Sequence, residues 1–335
     1  MLLYVVRRVL LMVPTLIGVS IVVFVLTRVV PADPALAAAG IGASPQRVES
    51  IRKELGLDKP LPVQYAYYVR NLLRGDLGIS VYSGLPVSKD IVRFFPATIE
   101  LSLTAFVLVC MIGIPLGIFA STHQGKWVDL FSRVAAVATT ALPTFWLAIV
   151  LQLLFFHRLH WFPIIGRISS YHMRPDHVTG FFVVDSILTG NWAALGDVLH
   201  HMALPLIALV AARLAIVVRL TRVCMLDVLA LDYVRTAHAK GLPRRTVVNK
   251  HALRNAAIPI VTELGMQFAW MLGGSAVVEM IFVWPGLGYY AITALNNMDF
   301  NTIMAFTLIV TCIFLVTNLV IDLAYAFVNP RIRLE

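Results

Sequence analysis

The sequence predicts an all-α integral membrane protein with six transmembrane helices. Of its 335 residues, 59% are hydrophobic and only 13% are charged, whereas a soluble domain carries about 25% charged residues. The apolar stretches each run for about 20 residues, the length that crosses the hydrocarbon core as a helix. They lack period-2 alternation, so they read as helices rather than strands. In hydrocarbon every backbone polar group must be satisfied within the structure, which leaves helices as the spanning elements.

The first span is expected over Val9–Val30, with Pro14 inside it and Arg7 and Arg8 before it. Basic residues before a first span place the N-terminus in the cytoplasm. Its length, with no small-residue cleavage site after it, reads as a span and not as a cleavable leader. Residues 31–97 form a polar excursion on the outer side. Ser44 and Pro45 cap and start a helix, QRVESIRKEL, that stops at Gly56; a second, LPVQYAYYVRNLLR, stops at Gly75. Both are read as small amphipathic helices on the outer membrane face or against other loops. This excursion holds eight Lys/Arg against six acids, and a segment this long escapes the positive-inside rule.

Span two is expected over Thr98–Ala120, followed by a short inner loop, His123–Lys126. Span three covers Leu130–Phe156 with Pro143 near its middle, and residues 157–201 form a second outer loop. Span four runs from Leu204 to about Val218 and carries the unusual Arg213. Span five is placed at Ile258–Val283, the turn Trp284–Gly288 outside, and span six at Thr302–Val328. Both termini are then cytoplasmic. The domain division is 1–30, the outer helical segment 31–97, a multi-span unit 98–330 and a cytoplasmic tail 331–335.

The net charge of +9 reflects basic cytoplasmic loops beside a lipid bilayer, not nucleic-acid binding. Cys110, Cys224 and Cys312 are scattered, without CxxC or metal spacing. No HExxH, GxSxG or GxxxxGKS motif occurs, so no catalytic centre or nucleotide site is read in this chain.

Between spans four and five lies residues 227–255, DVLALDYVRTAHAKGLPRRTVVNKHALRN. From Arg219 to Arg254 there are eight Lys/Arg and two acids, Asp227 and Asp232. A helical run is broken at Gly241-Leu242-Pro243 and a second follows: Gly ends one helix and Pro starts the next. The charge admits three readings: a loop that fixes topology, an anionic-lipid site, and a rigid docking surface for a cytoplasmic partner. The helix–Gly–Pro–helix pattern favours the third.

Asp232-Tyr-Val-Arg-Thr-Ala-His-Ala-Lys-Gly241 with His251-Ala-Leu-Arg-Asn255 resembles the cytoplasmic loop of ATP-binding-cassette (ABC) importer permeases of the dipeptide/oligopeptide/nickel subfamily. Against the wider E-A-A-x-x-x-G signature only Ala237 and Gly241 match, and Leu253 alone matches the I-x-L-P that follows. The RTA-x-AKG pattern is that of the peptide subfamily. Similar strings recur along the chain: Arg7-Arg8, Pro31–Pro34, Leu55–Pro60, Gly75–Gly78, Pro96–Thr98, Gly113–Gly117, Trp284–Gly288 and Asn329–Arg333. The resemblance implies a type I ABC importer permease fold in the inner membrane. It implies a second homologous permease subunit, two ATP-binding subunits that carry ATP and Mg²⁺, an extracytoplasmic substrate-binding protein and a peptide substrate. This chain itself would bind no cofactor and would not be an enzyme. The resemblance casts residues 227–255 as a coupling hairpin, with Asp232, Arg235, Ala237, Lys240, Gly241, Leu242, Arg244, His251 and Arg254 facing the ATPase subunit.

Arg213, Glu263, Glu279 and Asp322 lie in or beside apolar runs, where a charge is expected to face a cavity or a partner. Glu263, Met266, Gln267, Trp270 and Glu279 on span five are the candidate translocation path; ion pairing or plain packing is the alternative. His157, His160, His172, His177, His200 and His201 gather around the second outer loop, without the spacing of a metal site. Nickel chelates or glutathione are alternative substrates. A stand-alone secondary transporter fits six spans without an inverted repeat poorly.

Overall fold

The computed structural model describes residues 2–29, 34–39, 42–54, 56–171 and 174–328. The strings at 31–33 and 329–333 and His172 fall outside them. Among the described residues there is no strand beyond one isolated bridge, Ile79 to Pro86. The helices, in chain order, are α1 (Leu2–Val29), α2 (Pro34–Ala39), α3 (Pro45–Glu54), α4 (Leu61–Leu73), α5 (Val87–Thr122), α6 (Trp127–Ala141) and α7 (Thr144–Leu151). They continue with α8 (Phe182–Leu188), α9 (Trp192–Leu229), α10 (Asp232–Ala239), α11 (Arg244–Thr246), α12 (Leu253–Gly274), α13 (Ala276–Ile281), α14 (Leu287–Asn296) and α15 (Phe300–Val328). Wider π turns extend α7 over Gln152–Arg158 and join α11 to α12 over Val247–Ala252.

Among the described residues five helical stretches are long and apolar enough to cross a membrane: Val5–Arg28, Val87–Thr122, Trp192–Leu229, Arg244–Ile281 and Phe300–Leu323. The expected third span is broken. Leu142 is extended, at φ −90° and ψ 122°, because a residue before proline is driven out of the helical region. The two pieces still make one crossing. Near one end Asp129 pairs with Arg222 of α9, and at the other His200 of α9 meets the Trp161 carbonyl at 2.6 Å. Those two α9 positions are about 33 Å apart along a helix, a full hydrocarbon thickness.

Contacts give the remaining directions. Gly113 and Gly117 of α5 face Val217 and Thr221 of α9, so these two run parallel. Gly265 and Gly273 of α12 face Ile321 and Val310 of α15, which run antiparallel. Arg8 pairs with Asp322 at 2.9 Å while Thr27 reaches Met304, so α1 is antiparallel to α15. The described chain thus crosses six times. The start of α1 and the end of α15 lie at the end that carries residues 227–255, the hairpin end.

The α5–α9 pair makes the most extensive helix contact among the described residues. A Cβ on Gly117 would stand 2.5 Å from the Thr221 Cβ, and one on Gly113 2.9 Å from Val217 Cγ1. Small residues four apart let helix backbones approach in lipid, where dispersion replaces the hydrophobic drive. Around this pair lies the main core, with Leu101, Val109, Met202, Leu209, Met271 and Trp284.

At the far end, opposite the hairpin, loops are pinned by buried polar groups. α5 begins at Val87, eleven residues before the expected span, and α9 at Trp192, twelve before. His200 and His201 therefore belong to α9 and not to a loop. Arg167 donates to Glu100 Oε2 at 2.5 Å and to the Gly180 carbonyl at 3.2 Å, while Val183 N donates to Glu100 Oε1 at 2.7 Å. Burial pushes the Arg167 guanidinium down from its ordinary value, and Glu100 opposes that shift. Asp299 accepts from Ser80 Oγ at 2.6 Å and Val81 N at 2.8 Å, tying the segment before α5 to the start of α15. α4 covers α1 through Tyr65 and Tyr68, whose rings stand 5.4 and 5.9 Å from that of Phe24.

The stretch Trp284–Gly288 is not an exposed turn. Trp284 is fully buried, and its Nε1 donates to the Ala97 carbonyl at 2.9 Å. It leads into α14, a short helix between the expected spans five and six. Glu279 lies beneath α14 with no exposed surface. Its carboxylate accepts from Ser275 Oγ at 2.8 Å, Thr98 Oγ1 at 2.9 Å, Gly288 N at 2.8 Å and Tyr289 N at 3.1 Å. These partners satisfy a buried carboxyl group and cap the orphan N–H groups of α14. A Cβ on Gly288 would collide with the Ala276 backbone.

Gly288→Ala is therefore expected to lower the thermal unfolding midpoint of the purified protein, by an overpacking cost of about 1–3 kcal/mol. Gly196→Ala, whose Cβ would meet nothing within 4 Å, is expected to leave the midpoint unchanged or raise it. Equal midpoints for both variants would contradict the packing described.

Candidate functional site

Residues 227–255 form a packed hairpin, as the Gly–Pro break implies. α10 ends at Ala239; Gly241 N and Leu242 N donate back to the His238 and Ala237 carbonyls at 2.9 and 3.4 Å. Gly241 adopts φ +75°, a left-handed conformation that costs other residues about 1 kcal/mol or more. Pro243 then starts α11. A small core of Val234, Ala237 and Val247, against Leu229, holds the two arms together. A second core, Cys224, Met225, Val248, Ala252, Ala256 and Ile260, welds the base to α9 and α12.

Polar contacts complete the attachment. Tyr233 Oη donates to the His251 carbonyl at 3.3 Å and accepts from Asn255 Nδ2 at 2.7 Å. Arg244 Nη2 donates to the Thr122 carbonyl at 2.7 Å, joining the hairpin to the end of α5. Arg222 holds Asp129 with two bonds, 2.5 and 3.1 Å, joining α9 to α6.

The nine hairpin residues singled out in the sequence separate by position. Asp232, Arg235, Lys240, Gly241, Leu242, Arg244 and Arg254 are exposed. Arg235 pairs loosely with Asp232 at 3.5 Å. Ala237 is not on the outer surface: it is buried between the two arms, where a larger side chain would push them apart. His251 is half-buried, and it is its carbonyl that binds Tyr233. Arg245 and Lys250, outside the chosen set, are also exposed and enlarge the basic surface. A Cβ on Gly241 would meet no atom of this chain, so its backbone angle, not crowding, demands glycine here.

The span-five residues separate too. Gln267 is buried, Glu263 is partly exposed, and Met266 and Trp270 are 43% and 60% exposed. They share a stripe of α12 with helical spacing. Glu279 stands apart from that stripe: it is sealed under α14, so in this conformation it holds structure instead of facing a path. The sequence reading missed the partner on α9. Arg213 Nη1 donates to Gln267 Oε1 at 3.2 Å, and Gln267 Nε2 donates to Glu263 Oε1. The signal was present, since Arg213 is a charge within an apolar run, but its partner lies 54 positions away. Among the described residues no three His, Cys, Asp or Glu side chains group as metal ligands.

Six crossings, a packed basic hairpin at one end and a polar strip in mid-bundle are the features of an integral membrane protein with polar groups between its helices. The chain belongs to the family of binding-protein-dependent transport system inner membrane components, which it matches over residues 113–334. Residues 1–102 match the N-terminal segment described for such membrane components. It is 41% identical, over 94% of its length and 93% of the relative's, to the probable D,D-dipeptide transport system permease protein DdpB of Escherichia coli (strain K12). It is 40% identical, over 99% of its length and 100% of the relative's, to the dipeptide transport system permease protein DppB of Alkalihalophilus pseudofirmus. A glutathione transport system permease protein, GsiC of Escherichia coli O6:H1, is 39% identical over 99% of each chain. The chain is thus an inner membrane component of a system that also uses a substrate-binding protein and ATPase partners.

Gly241→Val is expected to abolish ATP-driven uptake, or the association with the ATPase, while membrane insertion stays intact. Gly241→Asn, which tolerates left-handed φ, is expected to retain most of it. Uptake and ATP hydrolysis measured side by side in membrane vesicles check both; wild-type uptake by Gly241→Val would contradict the need for a left-handed residue at this turn.

Proposed function

We propose that this chain is a permease subunit of an ATP-driven importer of short peptides. It would pair with a second homologous permease subunit, dock two ATP-binding subunits, and take its substrate from an extracytoplasmic binding protein. ATP and Mg²⁺ belong to the ATP-binding subunits; this chain supplies the path and the coupling surface. The observation that carries the reading is the hairpin. A loop that merely fixed topology would need only its charge. This one is a stiff element with an exposed basic face, anchored to α5, α9 and α12. Such an element passes a partner's displacement to the spans, where a flexible loop would absorb it.

The orientation fits the same reading. The hairpin and the ends of α1 and α15 share one end of the bundle, and the positive-inside rule makes that end cytoplasmic. Seven of the nine hairpin residues, Asp232, Arg235, Lys240, Gly241, Leu242, Arg244 and Arg254, form the ATPase-facing surface, and Ala237 and His251 hold its shape. Glu263, Met266, Gln267 and Trp270 line the path. Peptides are favoured as cargo by the names of the relatives. Glutathione, itself peptide-like, is the second reading, favoured by the glutathione permease among them.

Reconstitution tests this. In proteoliposomes holding both permeases and both ATP-binding subunits, a labelled dipeptide given with the binding protein is expected to accumulate only with ATP. Accumulation by this chain without ATP-binding subunits would overturn the importer reading in favour of a secondary transporter.

A further inference from the structure

The polar strip in mid-bundle sits where a charge is hardest to keep. Arg213 lies about 24 Å along α9 from Leu229 at the hairpin end, and Gln267 about 21 Å along α12 from Leu253. Both are at hydrocarbon depth. Arg213 and Glu263 nevertheless remain partly exposed, and Met266 and Trp270 beside them are open. A charge-bearing face of this kind does not stand against lipid, because ionisable groups at that depth face protein or water. The face therefore turns toward a water-filled path or the second permease subunit.

The order of groups along the strip is specific. A cation (Arg213) bonds one end of an amide (Gln267), and the other end of the amide bonds an anion (Glu263). A dipeptide carries the complementary order: a carboxylate, an amide and an ammonium group. Guanidinium matches carboxylate geometry with two parallel donors, and a carboxylate takes an ammonium. Without cargo, the Gln267 amide satisfies both charges at once. Cargo can replace it on each side without leaving either charge bare, since the amide can turn to the peptide bond. Met266 offers an adaptable apolar wall and Trp270 a flat one, which suits side chains of varied size.

We infer that Arg213, Gln267 and Glu263 form a mid-membrane binding site for short zwitterionic peptides, with the peptide carboxylate on Arg213 and its amino group on Glu263. The site deepens the peptide-import reading and rests on it. Its selectivity is for free termini, whatever the side chains.

The test uses the complete complex in proteoliposomes with one delivery protein throughout, so that changes in preference report on the permease. Uptake is compared for alanyl-alanine, its C-terminal amide and its N-acetyl derivative. Losing one charge-assisted bond is worth a factor of about 10–100. Arg213→Gln is expected to raise the half-saturating concentration of the free dipeptide by that factor and to change that of the amide far less. Glu263→Gln is expected to narrow the gap to the N-acetyl form in the same way. Arg213→Lys keeps charge without the fork, and a smaller rise in the same direction is expected; it also keeps the test readable if Arg213→Gln does not assemble. Variants that slow all three substrates equally, or none, would overturn the site and leave the strip as helix packing. A wild-type complex that moves alanyl-alanine with no preference for free termini would overturn it too. A wild-type complex that moves no peptide would instead count against peptide import itself.

Discussion

An ionisable group buried in the bundle must find its partner inside the protein, and the rest of this structure depends on how each one does. Glu279 finds two hydroxyls and the first N–H groups of α14. Glu100 finds Arg167 and the N-terminus of α8. Asp129 finds Arg222 across α6 and α9. Each pairing also secures a place where a helix starts or breaks, so satisfying the charge and fixing the fold are one event. Removing one partner of such a set leaves an uncompensated buried charge, which costs about 3–5 kcal/mol. The strip on α9 and α12 differs from all of these. Its charges are satisfied through one another and still open to one side.

The functional reading follows from that contrast. Sealed charges hold the two ends of the bundle, while the open ones lie between them. α9 connects the two regimes: its last turns belong to the hairpin base, its middle carries Arg213, and its start is held by the far-end loops. α12 does the same from the other direction, beginning at the hairpin and presenting Glu263 and Gln267. A displacement at the hairpin therefore reaches the strip through two continuous helices, each gripped by α5 or α15. The close glycine contacts at Gly113, Gly117 and Gly265 leave little slack for those helices to slide independently.

Much of the architecture was legible in the sequence because membrane helices announce themselves by length and composition. The six expected crossings, the two small helices before α5 and the hairpin break at Gly241 are present, although α5 and α9 begin eleven and twelve residues before their expected spans and the third crossing breaks before Pro143. The rest was hidden for particular reasons. α5 starts early because Lys89, Asp90 and Arg93 look like a loop, although Asp90 is buried against Tyr290. The third crossing looked continuous because Pro143 is often tolerated in a span. α14 was lost because its apolar run is short and follows a Pro-Gly turn. Glu279 looked like a path residue because its partners are backbone N–H groups that no side-chain pattern reveals. The Arg213–Gln267 contact joins residues 54 apart, and a sequence does not state which faces of two helices meet.

The central claim is that the hairpin is a rigid continuation of the spans, so that it transmits motion. Pulsed EPR between spin labels at Lys240 and Val223 tests it most directly, with Cys110, Cys224 and Cys312 replaced and the complex complete. Both label sites are exposed. The account predicts one narrow distance distribution, the same with and without ATP. A broad distribution, or one that shifts when ATP binds, would show a loop that absorbs the motion and would contradict it.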